Sequence, residues 1–125
     1  MPGYTLVWVA VGGASGAMLR YGLQNLVEQL PSSSPAYGTL FVNVLGGSLM
    51  GLLMAWLLRD PEQASWVRSL LMTGFLGSLT TFSTFSKDTV LLLSEGRVIE
   101  AAAYVAASVM LSVGACAAGF WLLRA

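Results

Sequence analysis

Hydrophobic positions gather into four long runs along this chain, separated by short polar stretches. The first extends from about Tyr4 to Val27, the second from Tyr37 to Leu58, the third over 65–94 and the fourth from Ile99 to Leu123. Each is long enough to cross a bilayer as a helix, which takes about 20 residues. Between the first two runs lies Pro31-Ser32-Ser33-Ser34-Pro35, whose prolines end one helix and permit the next. Arg59-Asp60-Pro61-Glu62 makes the second connection, with Pro61 and Glu62 suited to a helix start. Lys87, Asp88, Glu95, Gly96 and Arg97 mark the third, with Gly96 as helix terminator. The pattern predicts an all-α membrane protein of four transmembrane helices in a single domain over 1–125, without internal repeats.

The third run differs from the others. From Ser69 to Ser86 it is uncharged, and 18 residues rise about 27 Å as a helix, near the thickness of a hydrocarbon core. Yet eight of these residues are Ser or Thr, and Gly74 and Gly77 interrupt the run just before Thr80-Thr81. Glycine weakens a helix and Thr hydroxyls compete for its hydrogen bonds, so a break is expected near the midplane, around 74–81. Irregular backbone at that depth survives only where protein or a polar cavity satisfies it, and it points to a binding or permeation site.

Other polar positions each carry two readings. Arg20 lies about two turns before the polar end of the first run. Position alone favours a side chain snorkelling to the interface; the other reading is a cation in a vestibule that attracts anions. Asn43, the one strongly polar side chain of the second run, is either an interhelical hydrogen bonder or a donor to a permeating anion. Tyr104, Ser108 and Ser112 share one face of the fourth run, as packing glue or as a polar track. Gly12 and Gly16, and Gly47 and Gly51, have the small-xxx-small spacing of close helix packing. Trp56 and Trp66 flank the second connection as interfacial anchors.

Composition narrows the function. Of the residues, 56% are hydrophobic and 10% charged, and the mean hydropathy is +0.74; soluble domains carry charge on about a quarter of their residues. Net charge is zero, which speaks against nucleic acid as a partner. There is no histidine, so the commonest general base and metal ligand is missing. No nucleophile–base pair or membrane-embedded acid stands out, and no enzyme is expected. Cys116 is the only cysteine, which precludes an intrachain disulfide. The start of the chain carries no basic residue ahead of its apolar run, and no cleaved signal peptide is expected.

Four spans place both ends and the second connection on one side of the membrane, with Arg59, Arg68 and Arg124. Arg20, Lys87 and Arg97 fall on the other. Three cations against three give the positive-inside rule nothing to act on. Such a chain can insert both ways, and two copies can pair antiparallel, an inverted repeat made of separate chains.

The residues from Gly38 to Gly47, with Asn43 among them, and Gly74-Phe75-Leu76-Gly77 leading into Thr80-Thr81-Phe82-Ser83-Thr84-Phe85, resemble the fluoride channels of the Fluc (CrcB) family. Gly12 to Arg20-Tyr21 is similar to that family's first-helix pattern, and the likeness spans essentially the whole chain. It implies an antiparallel, dual-topology homodimer in the inner (plasma) membrane, with two pores that passively export fluoride. It also implies a structural sodium ion on the dyad, held by backbone carbonyls of Gly77 and Thr80, atoms suited to a hard cation. Its pore residues would be Phe82 and Phe85, with Asn43 nearby, Ser83 and Thr84 beside them, and Tyr104, Ser108 and Ser112 as polar track. Arg20 matches its vestibule arginine. Ser78 stands where the family often has glycine, and Asp88 where many members have Glu.

Elementary chemistry is compatible with those roles. Phe82 and Phe85 are three residues apart on one helix face, and aromatic ring edges are electropositive. Hydroxyls and an amide replace part of an anion's hydration. A rival is a small dual-topology multidrug transporter, which needs a carboxylate in its first helix; here Glu28 stands only at that helix's end. A non-transporting membrane subunit is the third possibility.

Overall fold

The computed structural model describes residues 3–32, 34–60, 62 and 65–124. Helices α1 (Gly3–Glu28) and α2 (Pro35–Arg59) come first. A third run begins with α3 (Ser65–Val67), widens into a π-helical stretch (Arg68–Leu76) and tightens again as α4 (Gly77–Leu79). Helices α5 (Phe82–Ser94) and α6 (Val98–Arg124) complete the chain, with no strand among the described residues. Pro61, expected to open the third run, lies outside the described residues, as does Ser33 of the first connection. Helices α1, α2 and α6 are each long and apolar enough to cross a membrane.

Local chemistry sets the ends. Ser34 has extended torsions and accepts the Ala36 N–H on its hydroxyl at 3.3 Å, while Pro35 fills the first helical position, where no N–H is needed. Helix α5 stops at Gly96, whose φ of +76° is open to glycine at no steric cost. Beyond it, Arg97 N–H returns to Leu92 O at 2.9 Å, the backbone closure of a Schellman end.

Small residues hold the helices together in two pairs. Helix α2 lies along α6, where a Cβ on Gly47 would come within 2.7 Å of Ser112 O and one on Gly119 within 2.6 Å of Ser48 O. Helix α1 lies against the π-helical stretch and α4, with Gly12 on the Leu70 carbonyl and Gly16 on that of Phe75. Trp8 and Trp66 reinforce the second pair, ring centroids 5.2 Å apart.

Within 74–81, Gly74 and Gly77 are helical, and the residues that leave helical geometry are Thr80 and Thr81. Gly74 serves contact instead, since a Cβ there would meet Val9 O at 2.8 Å and Gly12 Cα at 3.0 Å. Lys87 and Asp88 do not belong to a connection. They lie inside α5, and Asp88 is only 4% exposed, because Thr39 and Tyr104 supply it with hydrogen bonds. The chain therefore does contain a buried acid.

Candidate functional site

Thr80 (φ −87°, ψ 155°) and Thr81 (φ −148°, ψ 118°) are extended between α4 and α5, and this redirects the backbone N–H groups around them. In a continuous helix Thr81 N–H would return to Gly77 O. Here it donates to Asn43 Oδ1 at 2.7 Å, while Asn43 Nδ2 donates to Thr81 O at 3.2 Å. Likewise Thr84 N–H would return to Thr80 O, but donates to Thr81 Oγ1 at 3.1 Å, which makes Thr81 the N-cap of α5. The carbonyls of Gly77 and Thr80 thus both lose their helical partners. These are the two atoms that the family resemblance marks as sodium ligands, and paired carbonyl oxygens fit a hard cation in donor type. Arg20 does not extend freely to an interface: it is half-buried, and its Nε donates to Ser78 O at 2.9 Å, inside the same junction.

Beside this junction a groove of about 680 Å³ runs between α2 and α6. Asn43, Thr80, Phe82, Phe85, Ser108 and Ser112 line it together. Phe82 is 79% exposed there, an apolar ring uncovered at the first residue of α5. Its centroid lies 5.4 Å from that of Phe85 at 58°, and Phe85 stands 5.3 Å from the Tyr104 ring. The hydroxyls of Ser108 and Ser112 are shielded and have no hydrogen-bond partner. A hydroxyl in such a place is a donor awaiting an acceptor.

Three candidates lie elsewhere. Ser83 and Thr84 are not on the groove; their hydroxyls gather at Thr81 Oγ1, at 3.3 and 3.1 Å. The Tyr104 hydroxyl donates to Asp88 Oδ2 at 3.1 Å, and the residue lines a second cleft of about 250 Å³.

Sequence reasoning did not foresee the cluster around Asp88. Thr39 Oγ1 approaches Asp88 Oδ2 at 2.7 Å, Gln24 Nε2 approaches Thr39 Oγ1 at 3.2 Å, and Lys87 Nζ stands 3.6 Å from Asp88 Oδ1. Two spacings carried the signal: Thr39 is four residues before Asn43, and Asp88 three after Phe85, each pair on one helix face. At the end of α5, Arg97 is held charged, its pKa raised by the hydrogen bonds it donates to Glu100 and, next in weight, to Glu95.

Comparison with known proteins completes the site. Residues 7–120 match the family model described as CrcB-like protein, Camphor Resistance (CrcB). A protein of Aliivibrio salmonicida named fluoride-specific ion channel FluC is 44% identical over 119 residues, 95% of this chain and 94% of its own length. One of the same name from a Caulobacter species is 47% identical over 122 residues, 95% of this chain and 94% of its own. Another, from Photobacterium profundum, is 44% identical over 124 residues, covering 98% of each.

Proposed function

This chain belongs to the CrcB family, and on that premise we propose that it is a fluoride-selective channel, passively exporting fluoride across the cell membrane in which it is a multi-pass protein. The observation that carries the reading is the groove, whose lining combines Ser108 and Ser112, with unpartnered hydroxyls, with the exposed Phe82 and with Phe85. The hydroxyls donate to the anion, and the ring edges supply weak positive potential without a fixed charge. Among the groove's lining residues there is no Lys or Arg, so an anion meets several weak sites and no trap. The second N–H of the Asn43 amide, beyond the one bonded to Thr81 O, adds a donor at the junction.

The working unit is an antiparallel homodimer with two pores, the third run of each chain crossing the bilayer with its break near the midplane. Three observations support it: an exposed Phe82, an apolar groove that one chain leaves open, and cations divided three against three. Where two such junctions meet, the carbonyls of Gly77 and Thr80 would hold a sodium ion, which supplies the positive charge that freed carbonyls lack. Arg20 contributes a cation to the vestibule while it secures Ser78 O.

Flux from reconstituted liposomes tests the function: fast fluoride efflux with almost no chloride efflux is expected, independent of any proton gradient. Equal halide fluxes would overturn it. Asp88 is buried but lies on α5, not in the first helix where the multidrug-transporter alternative needs its carboxylate, and transport that requires a proton gradient would favour that alternative. Accessibility of a C-terminal tag from both sides of the membrane tests dual topology; a single orientation would exclude the antiparallel dimer.

A further inference from the structure

Thr39 is fully buried and sits at the centre of a relay that joins four helices: Gln24 on α1, Thr39 on α2, Asp88 on α5 and Tyr104 on α6. We propose that Gln24 is a positioning residue: by donating to Thr39 it commits that hydroxyl's hydrogen to Asp88, and so fixes how Asp88 engages Tyr104 at the head of the hydroxyl track. The inference rests on the channel reading for its effect on flux, but not for the relay itself.

The direction of the relay follows from counting hydrogens. Thr39 Oγ1 has one hydrogen and three neighbours: Gln24 Nε2 at 3.2 Å, Pro35 O at 3.3 Å and Asp88 Oδ2 at 2.7 Å. Two oxygens 2.7 Å apart need a hydrogen between them, so the Thr39 hydrogen lies towards Asp88. Gln24 must then present its N–H₂, not its carbonyl, to Thr39. Pro35 O is the carbonyl four residues back, the usual local acceptor for a helical threonine, and it competes for the same hydrogen. A donor on the oxygen's lone pair orients the hydroxyl and polarises it towards the carboxylate. Without Gln24, the hydrogen can swing to Pro35 O, and Asp88 keeps only Tyr104 and Lys87.

The fold is shaped to bring Gln24 there. Gly38, beside Thr39, touches α1 at that residue: a Cβ on Gly38 would stand 3.1 Å from Gln24 Cα and 3.3 Å from its carbonyl oxygen. A larger residue would push α1 away slightly, so glycine favours the close approach that brings the Gln24 amide to a buried hydroxyl. Tyr104 meanwhile shares a face with Ser108 and Ser112, which have no partners, so the hydroxyls held by Asp88 and those left free for an anion are neighbours on α6.

The chain contains two aspartates, Asp60 and Asp88, so selective ¹³Cγ-aspartate labelling of the full-length protein gives two carboxylate signals, with Asp60 as an internal reference. We expect Gln24→Met to move the Asp88 signal and leave that of Asp60, and to cause no movement in a Thr39→Val background. Fluoride flux should fall about fivefold in Gln24→Met, the scale of one neutral hydrogen bond. It should fall further in the near-isosteric Gln24→Glu, whose carboxylate would draw the Thr39 hydrogen away from Asp88. An unmoved Asp88 signal in both variants would overturn the proposal. So would an equal movement with and without the Thr39 hydroxyl, which would assign Gln24 to packing, or wild-type flux in both variants. Absence of fluoride flux in the unsubstituted protein would overturn the channel reading instead, and the carboxylate signals would still decide on the relay.

Discussion

Two polar regions lie on either side of the Phe85 ring, and they are treated in opposite ways. Around Asp88 the buried polar atoms are provided for within one chain: two hydroxyls on Oδ2, an ammonium near Oδ1 and an amide behind Thr39. Along the groove the reverse holds, with Ser108 and Ser112 lacking partners, Phe82 uncovered, and the Gly77 and Thr80 carbonyls released from their helical donors. Burial without hydrogen bonds costs stability, and a fold does not keep such groups for its own sake. The closed region is what four helices need to hold their positions. The open region is where this chain is incomplete without an ion and, in our reading, a second copy.

The strongest way to break this comparison is to remove the acceptor at the centre of the closed region. Asp88→Leu takes the acceptor from the buried Tyr104 hydroxyl, at about 1–3 kcal/mol for an unsatisfied group, and leaves Thr39 only the longer bond to Pro35 O at 3.3 Å. We expect the variant to lose ~2 kcal/mol and to show a clearly lowered unfolding temperature in detergent. Asp88→Glu keeps the acceptor and should retain most of that stability. If Asp88→Leu melts like the unsubstituted protein, the closed cluster is not structural, and the contrast with the groove collapses.

The next largest effect concerns the phenylalanines, and here activity should move while the fold stays. Phe82→Ile and Phe85→Ile keep apolar bulk and remove the ring's positive edge. Flux should fall about tenfold, which corresponds to ~1.4 kcal/mol of lost ion stabilisation, while each variant elutes as a single folded species. A packing role gives the opposite order, with near-normal flux from Ile and loss of the assembled species with Ala. Flux and elution for the Ile and Ala variants at both positions separate the two.

How far these regions were legible in the sequence follows the same division. The four helical runs could be read because apolar runs and their punctuation are local: Pro35 and Gly96 act within a turn of the helix ends they set. Gly12, Gly16, Gly47 and Gly51 announced close packing by spacing alone, though not which helix each would meet. The motif from Thr80 to Phe85 marked the junction through its resemblance to a known family. Which residues of 74–81 leave the helix was not legible, because glycine in a sequence signals either a break or a close approach, and only the tertiary contact of Gly74 with Val9 and Gly12 decides. The Asp88 cluster was hidden for a related reason. Beside Lys87, an aspartate reads as a charged connection, and the hydroxyls that make its burial tolerable come from residues 49 positions before it and 16 after.

The smallest expected effect on the fold tests the open region from the inside. Ser108→Ala and Ser112→Ala each delete a buried hydroxyl that makes no hydrogen bond. Removal of an unsatisfied polar group from a buried site relieves a desolvation cost, so stability should hold within ~0.5 kcal/mol or rise slightly. Fluoride flux should nevertheless fall, and more in the double variant, because each hydroxyl replaces part of the ion's hydration along the groove. Ser→Thr at either position, which keeps the donor and adds a methyl group, should preserve more flux than Ala if space allows. The two measurements must diverge for the reading to stand, with melting unchanged and flux reduced. Unfolding at a distinctly lower temperature in Ser108→Ala or Ser112→Ala would show that these hydroxyls bond within the assembled protein, and the groove would then be a packing seam like the one between α2 and the rest of α6.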